Sequence, residues 1–282
     1  MTSALTVAID GGPYALAAGA DGAVWVTLVH SGAIARVSSR GDVEVFPVAP
    51  ASRPSIITAG PDGALWFTRN GDDRIGRIST AGELTEFELG ENSAPYGITV
   101  GPDRGLWFTT MTTGEVRRIS VDGELSDPHP VGGAPSMIVT GPDNALWFTL
   151  NRRNAVGRLA LSGELTVREL PTAAAGPVGI AKTHDDAIWF TEILAERLGR
   201  IPMDEAIQEI DLPGKPHAVV ADPADGVWVS LWGSSQLARV SADGEIVTIE
   251  LPPGSEPHGL AIDPEGALWV ALESGFVVRM PF

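Results

Sequence analysis

Short runs of alternating or β-rich apolar residues, bounded by turn residues, recur along the whole chain. The stretch "PSIITAGPDGALWFTRNGDDRIGRISTAGELTEFEL", from Pro54 to Leu89, contains four of them: "SIITAG", "ALWFT", "RIGRIS" and "LTEFEL". Period-two alternation between turn signals predicts strands. Asp-Gly pairs separate the first two runs (Asp21-Gly22, Asp62-Gly63, Asp225-Gly226) and suit tight hairpins, because they accept positive φ. A second Gly-containing turn, at Gly41, Gly82, Gly123, Gly163 and Gly244, separates the last two runs. No segment of comparable length carries helical apolar spacing.

The runs repeat as a unit. Trp25, Trp66, Trp107, Trp147, Trp189, Trp228 and Trp269 are 41, 41, 40, 42, 39 and 41 residues apart. A proline precedes each by twelve residues: Pro13, Pro54, Pro95, Pro135, Pro177, Pro216 and Pro257. An eighth tryptophan, Trp232, lies outside the series. Four antiparallel strands recurring about every 40 residues are propeller blades. The predicted fold is all-β, a seven-bladed β-propeller, with residues 1–282 forming one domain. The last repeat lacks a fourth strand and the chain starts with "ALTVAID", so residues 4–9 are expected to pair with residues 275–281 and close the ring.

In such a blade the start of the first strand and the end of the second share one face. Residues flanking the repeat proline, and those three and four places after the tryptophan, are therefore expected to ring one mouth of the channel. After the proline stand Tyr14, Ser55, Tyr96, Ser136, Val178, His217 and His258; before it stand Gly12, Arg53, Ala94, Ala134, Gly176, Lys215 and Glu256. Three places after the tryptophan, blade five carries Glu192; four places after it, blades six and seven carry Trp232 and Glu273. Glu256, His258 and Glu273 thus share one end of one blade, beside His217 of its neighbour. Glu192 reads as a rim acid. Tyr14, Tyr96 and Trp232 read as aromatic residues of the mouth. His30, His129 and His184 fall outside the motif positions and read as surface or hydrogen-bonded histidines.

Composition narrows the chemistry. Lys plus Arg is 19 against 36 for Asp plus Glu, a formal charge of −17, which argues against nucleic acid and anionic membranes as partners. The chain has no cysteine, so disulfides, thiolate metal sites and cysteine nucleophiles are excluded, and a reducing, cytoplasmic location is expected. The start, "MTSALTVAID", shows no signal-peptide pattern, and no apolar run reaches the ~18 residues of a membrane helix. Nucleophile-elbow, His-Glu-x-x-His and phosphate-loop motifs are missing. Two glutamates suit a hard cation such as Mg²⁺, which takes one or two protein carboxylates and keeps several waters. A neutral imidazole suits a general base near neutral pH. Cation plus base is equipment for removing a proton next to a carbonyl, or for activating water; the spacing does not choose between them.

At "AGPVGIAKTHDDAIWFTE", "KPHAVVA", "EPHGLAID" and "LWVALES" the chain resembles the virginiamycin B lyase family, also called streptogramin B lyases, over essentially its whole length. The histidines after the prolines of consecutive blades, followed by a glutamate after the last tryptophan motif, carry the resemblance most specifically. It implies a monomeric, Mg²⁺-dependent carbon–oxygen lyase acting on a small-molecule partner, a cyclic depsipeptide of the type B streptogramins. Ring opening by elimination at the threonine ester would inactivate the antibiotic and confer resistance. Carried over by residue, His258 matches the general base, Glu256 and Glu273 the metal ligands, and His217 a substrate-binding histidine; Tyr14 and Trp232 are candidate substrate contacts. Where the family favours a glutamate after many "WFT" units, this chain has Arg69, Thr110, Leu150 and Leu231, and a "TEWG"-type stretch reads "SLWGSS". The rim that meets substrate therefore departs from the family more than the chemistry does. A metal-dependent esterase or lactonase on another cyclic ester, and a non-catalytic binding propeller, are the alternative readings.

Overall fold

A computed structural model describes residues 4–203 and 205–280. Its ordered elements are strands, with no helix among the described residues. They form seven four-stranded antiparallel sheets; in six of them the strands are hydrogen-bonded in sequence order, and in the seventh the first strand of the chain joins the last three. The inner strands follow one another around a ring, and that of blade seven, Pro257–Ile262, meets that of blade one, Pro13–Ala18. This is the expected seven-bladed propeller. Closure occurs as the sequence predicts: Leu5–Ala8 pairs antiparallel with Phe276–Met280, with Leu5 opposite Arg279 and Ala8 opposite Phe276. Pro281, at the end of the expected pairing range, lies outside the described residues.

Each repeat proline opens an inner strand and disturbs its ladder. The register shifts between the proline and the residue three places on in every blade, as between Pro216 and Val219 or Pro257 and Leu260. The residue before the proline takes positive φ in all seven blades, from 45° at Arg53 to 73° at Gly12. Glu256, at 50°, shares this conformation with Ala94 and Ala134. Its strain therefore belongs to the architecture and is not a mark of chemistry.

The bulge leaves a backbone N–H without a ladder partner, and a buried hydroxyl two places after the tryptophan supplies one. Thr191 Oγ1 accepts from Gly179 N at 2.8 Å and donates to His217 O of the next blade at 2.8 Å. Ser230 Oγ accepts from Ala218 N at 2.9 Å and donates to His258 O at 2.7 Å. Thr27, Thr68, Thr109 and Thr149 donate in the same way to Ser55, Tyr96, Ser136 and Val178. Blade seven has Ala271 at this position. At that seam Gly259 lets the strands approach closely: a Cβ there would sit 2.6 Å from Tyr14 O.

The repeat tryptophans fill the space between blades and are at most 5% exposed. The indole N–H groups of Trp25, Trp66, Trp107, Trp147 and Trp269 each donate to an aspartate at the opposite end of the disc. Trp25 donates to Asp21 at 3.2 Å, and Arg36, opposite Trp25 in the ladder, donates to the same carboxylate at 2.6 Å. Trp66, Asp62 and Arg77 repeat the arrangement, as do Trp107, Asp103 and Arg118. Burial, the largest single influence, opposes ionisation of Asp21, Asp62 and Asp103, but the hydrogen bonds from tryptophan and arginine together hold all three below the usual carboxylate range.

Val7 and Ile9 of the closing segment are buried against the core of blades one and seven. Deleting residues 1–8 should lower the melting temperature by on the order of 5 °C or more, read by calorimetry. An unchanged melting temperature would show that the ring does not depend on this strand.

Candidate functional site

The histidine rings project from the bulged starts of two adjacent inner strands, Pro216–Ala221 and Pro257–Ile262. Their backbones are pinned by the hydroxyl contacts above, so the ring positions follow from the frame. The His217 and His258 centroids lie 4.6 Å apart at 86°. Tyr14 packs 4.6 Å from His258 and 6.1 Å from His217, and Trp232 lies 6.2 Å from His258. Tyr14 and Tyr96 join through their hydroxyls at 2.7 Å across the channel. Below them the channel holds a cavity of about 170 Å³, with an apolar wall that includes Ile57, Ile98, Met137 and Ile180.

His258 is 7% exposed, and neither of its ring nitrogens makes an aligned hydrogen bond. Its Nε2 instead lies in close contact with Glu273 Oε2. The other oxygen of Glu273, Oε1, lies 2.8 Å from His30 Nε2. Glu273 is held below the usual carboxylate range, first by His258, against the opposing effect of burial. His217 lines the channel and has no partner for Nδ1. Burial pushes its imidazole down to about 3, with His258 acting in the same direction, so it is neutral at ordinary pH. Burial also raises Tyr14 and Tyr96 above the usual phenol range. The Nδ1 atoms of His217 and His258 are therefore buried with hydrogen-bonding capacity that the protein does not use.

The backbones of the two glutamates are tied together, Glu273 N donating to Glu256 O at 3.1 Å. The Glu256 side chain is exposed and makes no hydrogen bond or ion pair among the described residues. No group of three or more His, Asp or Glu positioned to hold a metal exists among the described residues. A free carboxylate beside a half-buried one fits a cation that takes two protein oxygens and completes its shell with water and substrate, as Mg²⁺ does. Trp232 carries Lys215 Nζ 5.3 Å above its ring, on the same rim.

Two expectations are corrected. Positions three after each tryptophan do not ring the mouth: Leu28, Arg69, Thr110, Leu150, Glu192, Leu231 and Leu272 are all 2% exposed or less. Each lies opposite a repeat proline or its partner strand with its side chain turned into the blade packing, as Pro177 opposite Glu192 shows. Glu192 is accordingly a fully buried carboxylate and not a rim acid. Arg69 at the same position is neutralised by Asp72 and Glu86. Glu192 has no hydrogen-bond partner for either oxygen, and burial, with Glu209 adding to it, raises it to about 7.

Sequence reasoning also missed the neighbourhood of His30. This histidine follows Trp25 by five places and lies over Gly12, where a Cβ would fall 2.3 Å from its Cδ2. Leu194, five places after Trp189, lies over Gly176 in the same way and is 73% exposed. The available signal was that only blades one and five have glycine before the repeat proline. His129 lies 5.7 Å from Trp107 in an outer strand and His184 is exposed, both away from the mouth.

The model of the virginiamycin B lyase family matches residues 2–280. The virginiamycin B lyase of Mycolicibacterium smegmatis is 73% identical over 281 residues, 100% of each chain. A streptogramin B lyase structure superposes with a TM-score of 0.93 at 33% identity, covering 99% of this chain and 97% of its own. The structure of a catalytically inactive histidine-to-alanine variant of virginiamycin B lyase from Staphylococcus aureus, with quinupristin, gives 0.92 at 34% identity over 98% of both chains.

Glu192 supplies a pH test. Its folded-state pKa is raised, so its contribution to stability is complete below the unfolded value near 4.5 and is lost as pH rises through about 7. Glu192→Gln should therefore gain in melting temperature over the parent between pH 5 and pH 8.5, by about 3 °C. A constant difference across that range would show that Glu192 does not titrate there.

Proposed function

The chain belongs to the virginiamycin B lyase family, and from that premise we infer that it is a Mg²⁺-dependent carbon–oxygen lyase that linearises and inactivates type B streptogramins. The observation that carries this reading is His258: a buried imidazole at a channel mouth, packed against the aromatic ring of Tyr14, with Nε2 against the Glu273 carboxylate and Nδ1 without a partner.

His258 takes the α-proton of the esterified threonine. That C–H bond breaks, a double bond forms between Cα and Cβ, and the Cβ–oxygen bond breaks so that the ester leaves as a carboxylate. No water is consumed, and the linear product has the composition of the substrate. A cation bound by Glu256 and Glu273 would polarise the carbonyl beside that proton and so make it more acidic. Neutral His217, fixed at right angles to His258, offers a hydrogen bond to a substrate oxygen or N–H without adding charge next to the base. Tyr14, Tyr96 and Trp232 give the ring-shaped substrate aromatic surface to rest on, and the apolar cavity wall receives a side chain. Removal of base and substrate proton from bulk water is provided by the 7% exposure of His258.

Incubation of a type B streptogramin in ¹⁸O-water, followed by mass analysis, tests the reaction. A linear product of unchanged mass is expected. A product heavier by one labelled water would replace elimination by hydrolysis and make the protein an esterase or lactonase. His258→Ala should lower kcat/KM by about 10²- to 10⁴-fold, the range for loss of a general base. Glu256→Gln and chelation should each reduce activity in a manner that added Mg²⁺ restores for the parent alone. Full activity in chelator would remove the metal from the reaction.

A further inference from the structure

The proposed ligand Glu273 is gripped from two sides, and only one of the two groups belongs to the proposed chemistry. His258 takes one carboxylate oxygen. His30, from the neighbouring blade one, stands 2.8 Å from the other. The His30 side chain is 62% exposed, so it is not a core residue whose place packing dictates. Its place is dictated by Gly12. With φ at 73° and no Cβ, Gly12 leaves a gap that the imidazole occupies, and any Cβ would collide with Cδ2 at 2.3 Å and with Cγ at 2.9 Å. This glycine is not required by the backbone. Ala94 and Ala134 hold the same position before the repeat proline at φ of 47° and 52°. Gly12 therefore serves the ring of His30 rather than the turn.

The geometry points to His30 as a positioning residue that fixes the Glu273 carboxylate across the seam between blades seven and one, so that it presents a lone pair to a divalent cation shared with Glu256. The inference rests on the metal-site reading of Glu256 and Glu273 above. The physical need is plain: Glu273 has three rotatable bonds and 20% side-chain exposure, and a carboxylate free to turn binds a cation less well than one held in place. Glu256, its partner, has no side chain holding it, which leaves Glu273 as the rigid half of the pair.

The test is Mn²⁺ binding to the substrate-free protein, read by loss of the free-ion electron paramagnetic resonance signal and competed with Mg²⁺. His30→Ala should weaken binding by about tenfold, the lower end for loss of a group that orients a metal ligand. His30→Gln, which keeps a nitrogen donor at similar reach, should recover most of it. Gly12→Ala should weaken binding like His30→Ala while leaving the imidazole in the protein, and adding Gly12→Ala to His30→Ala should cost nothing further. Melting temperatures in chelator should stay within about 2 °C of the parent, which separates positioning from a folding defect.

Parental binding in His30→Ala, with binding lost in Glu273→Gln, would overturn the role of His30 and leave the metal site standing. Parental binding in Glu273→Gln would overturn both. A Gly12→Ala effect that persists undiminished in the His30→Ala background would show that the glycine acts on something else and would overturn the argument from the gap.

Discussion

A buried hydroxyl in six of the seven blades is the contact on which the rest of this protein depends. Two residues after the repeat tryptophan, in blades one to six, a Thr or Ser hydroxyl donates to a carbonyl of the next blade, and in all of these but blade four it also accepts the N–H freed by the proline bulge, as Thr191 and Ser230 do. Each such bond is worth about 1 kcal/mol net, but leaving either group bare in a dry interface would cost more. The constraint is directional: it fixes the height and orientation of the residue after the proline. In blades six and seven those residues are His217 and His258. A frame contact repeated in blades one to six thus becomes, at two positions, the means by which two imidazoles are held 4.6 Å apart.

The site is an asymmetry laid on a near-symmetric wheel. Equivalent positions in other blades hold Tyr14, Tyr96 and Val178, which line the cavity, and Ser55 and Ser136, which are buried. Only at the seam between the last blade and the first do two acids and two more imidazole contacts accumulate. There Ala271 breaks the hydroxyl series and Gly259 lets the strands close together. Beside that seam Gly12 makes room for His30. The same economy of position governs the buried charges. The place three after the tryptophan is dry in every blade; Arg69 is paired there with Asp72 and Glu86. Arg197 faces Glu192 in the ladder but is paired with Glu209 and Asp211, and burial outweighs its influence and favours the neutral form.

Periodicity carried the fold. Seven tryptophans and seven prolines at constant offset determine strand number, blade number and the side of the disc on which the prolines lie, because a β-blade places residues by counting. The same counting located Glu256, His258, Glu273 and His217 at one mouth. It failed at Glu192, because position along a strand says which end a residue occupies but not whether its side chain turns to the channel or into the packing between sheets. It passed over His30, because that residue reaches the site across a seam joining the two ends of the chain.

By itself, then, the sequence determined the architecture and the membership of the rim, since both follow from a repeat length and an alternating pattern that any β-blade obeys. Only the tertiary structure decided the contacts: that Glu273 stands between His258 and His30, that Glu256 is unattached, and that Glu192 is buried. Those depend on distances of a few ångströms between residues far apart along the chain, and such distances are set by how closely strands pack at the closing seam, which no periodicity encodes.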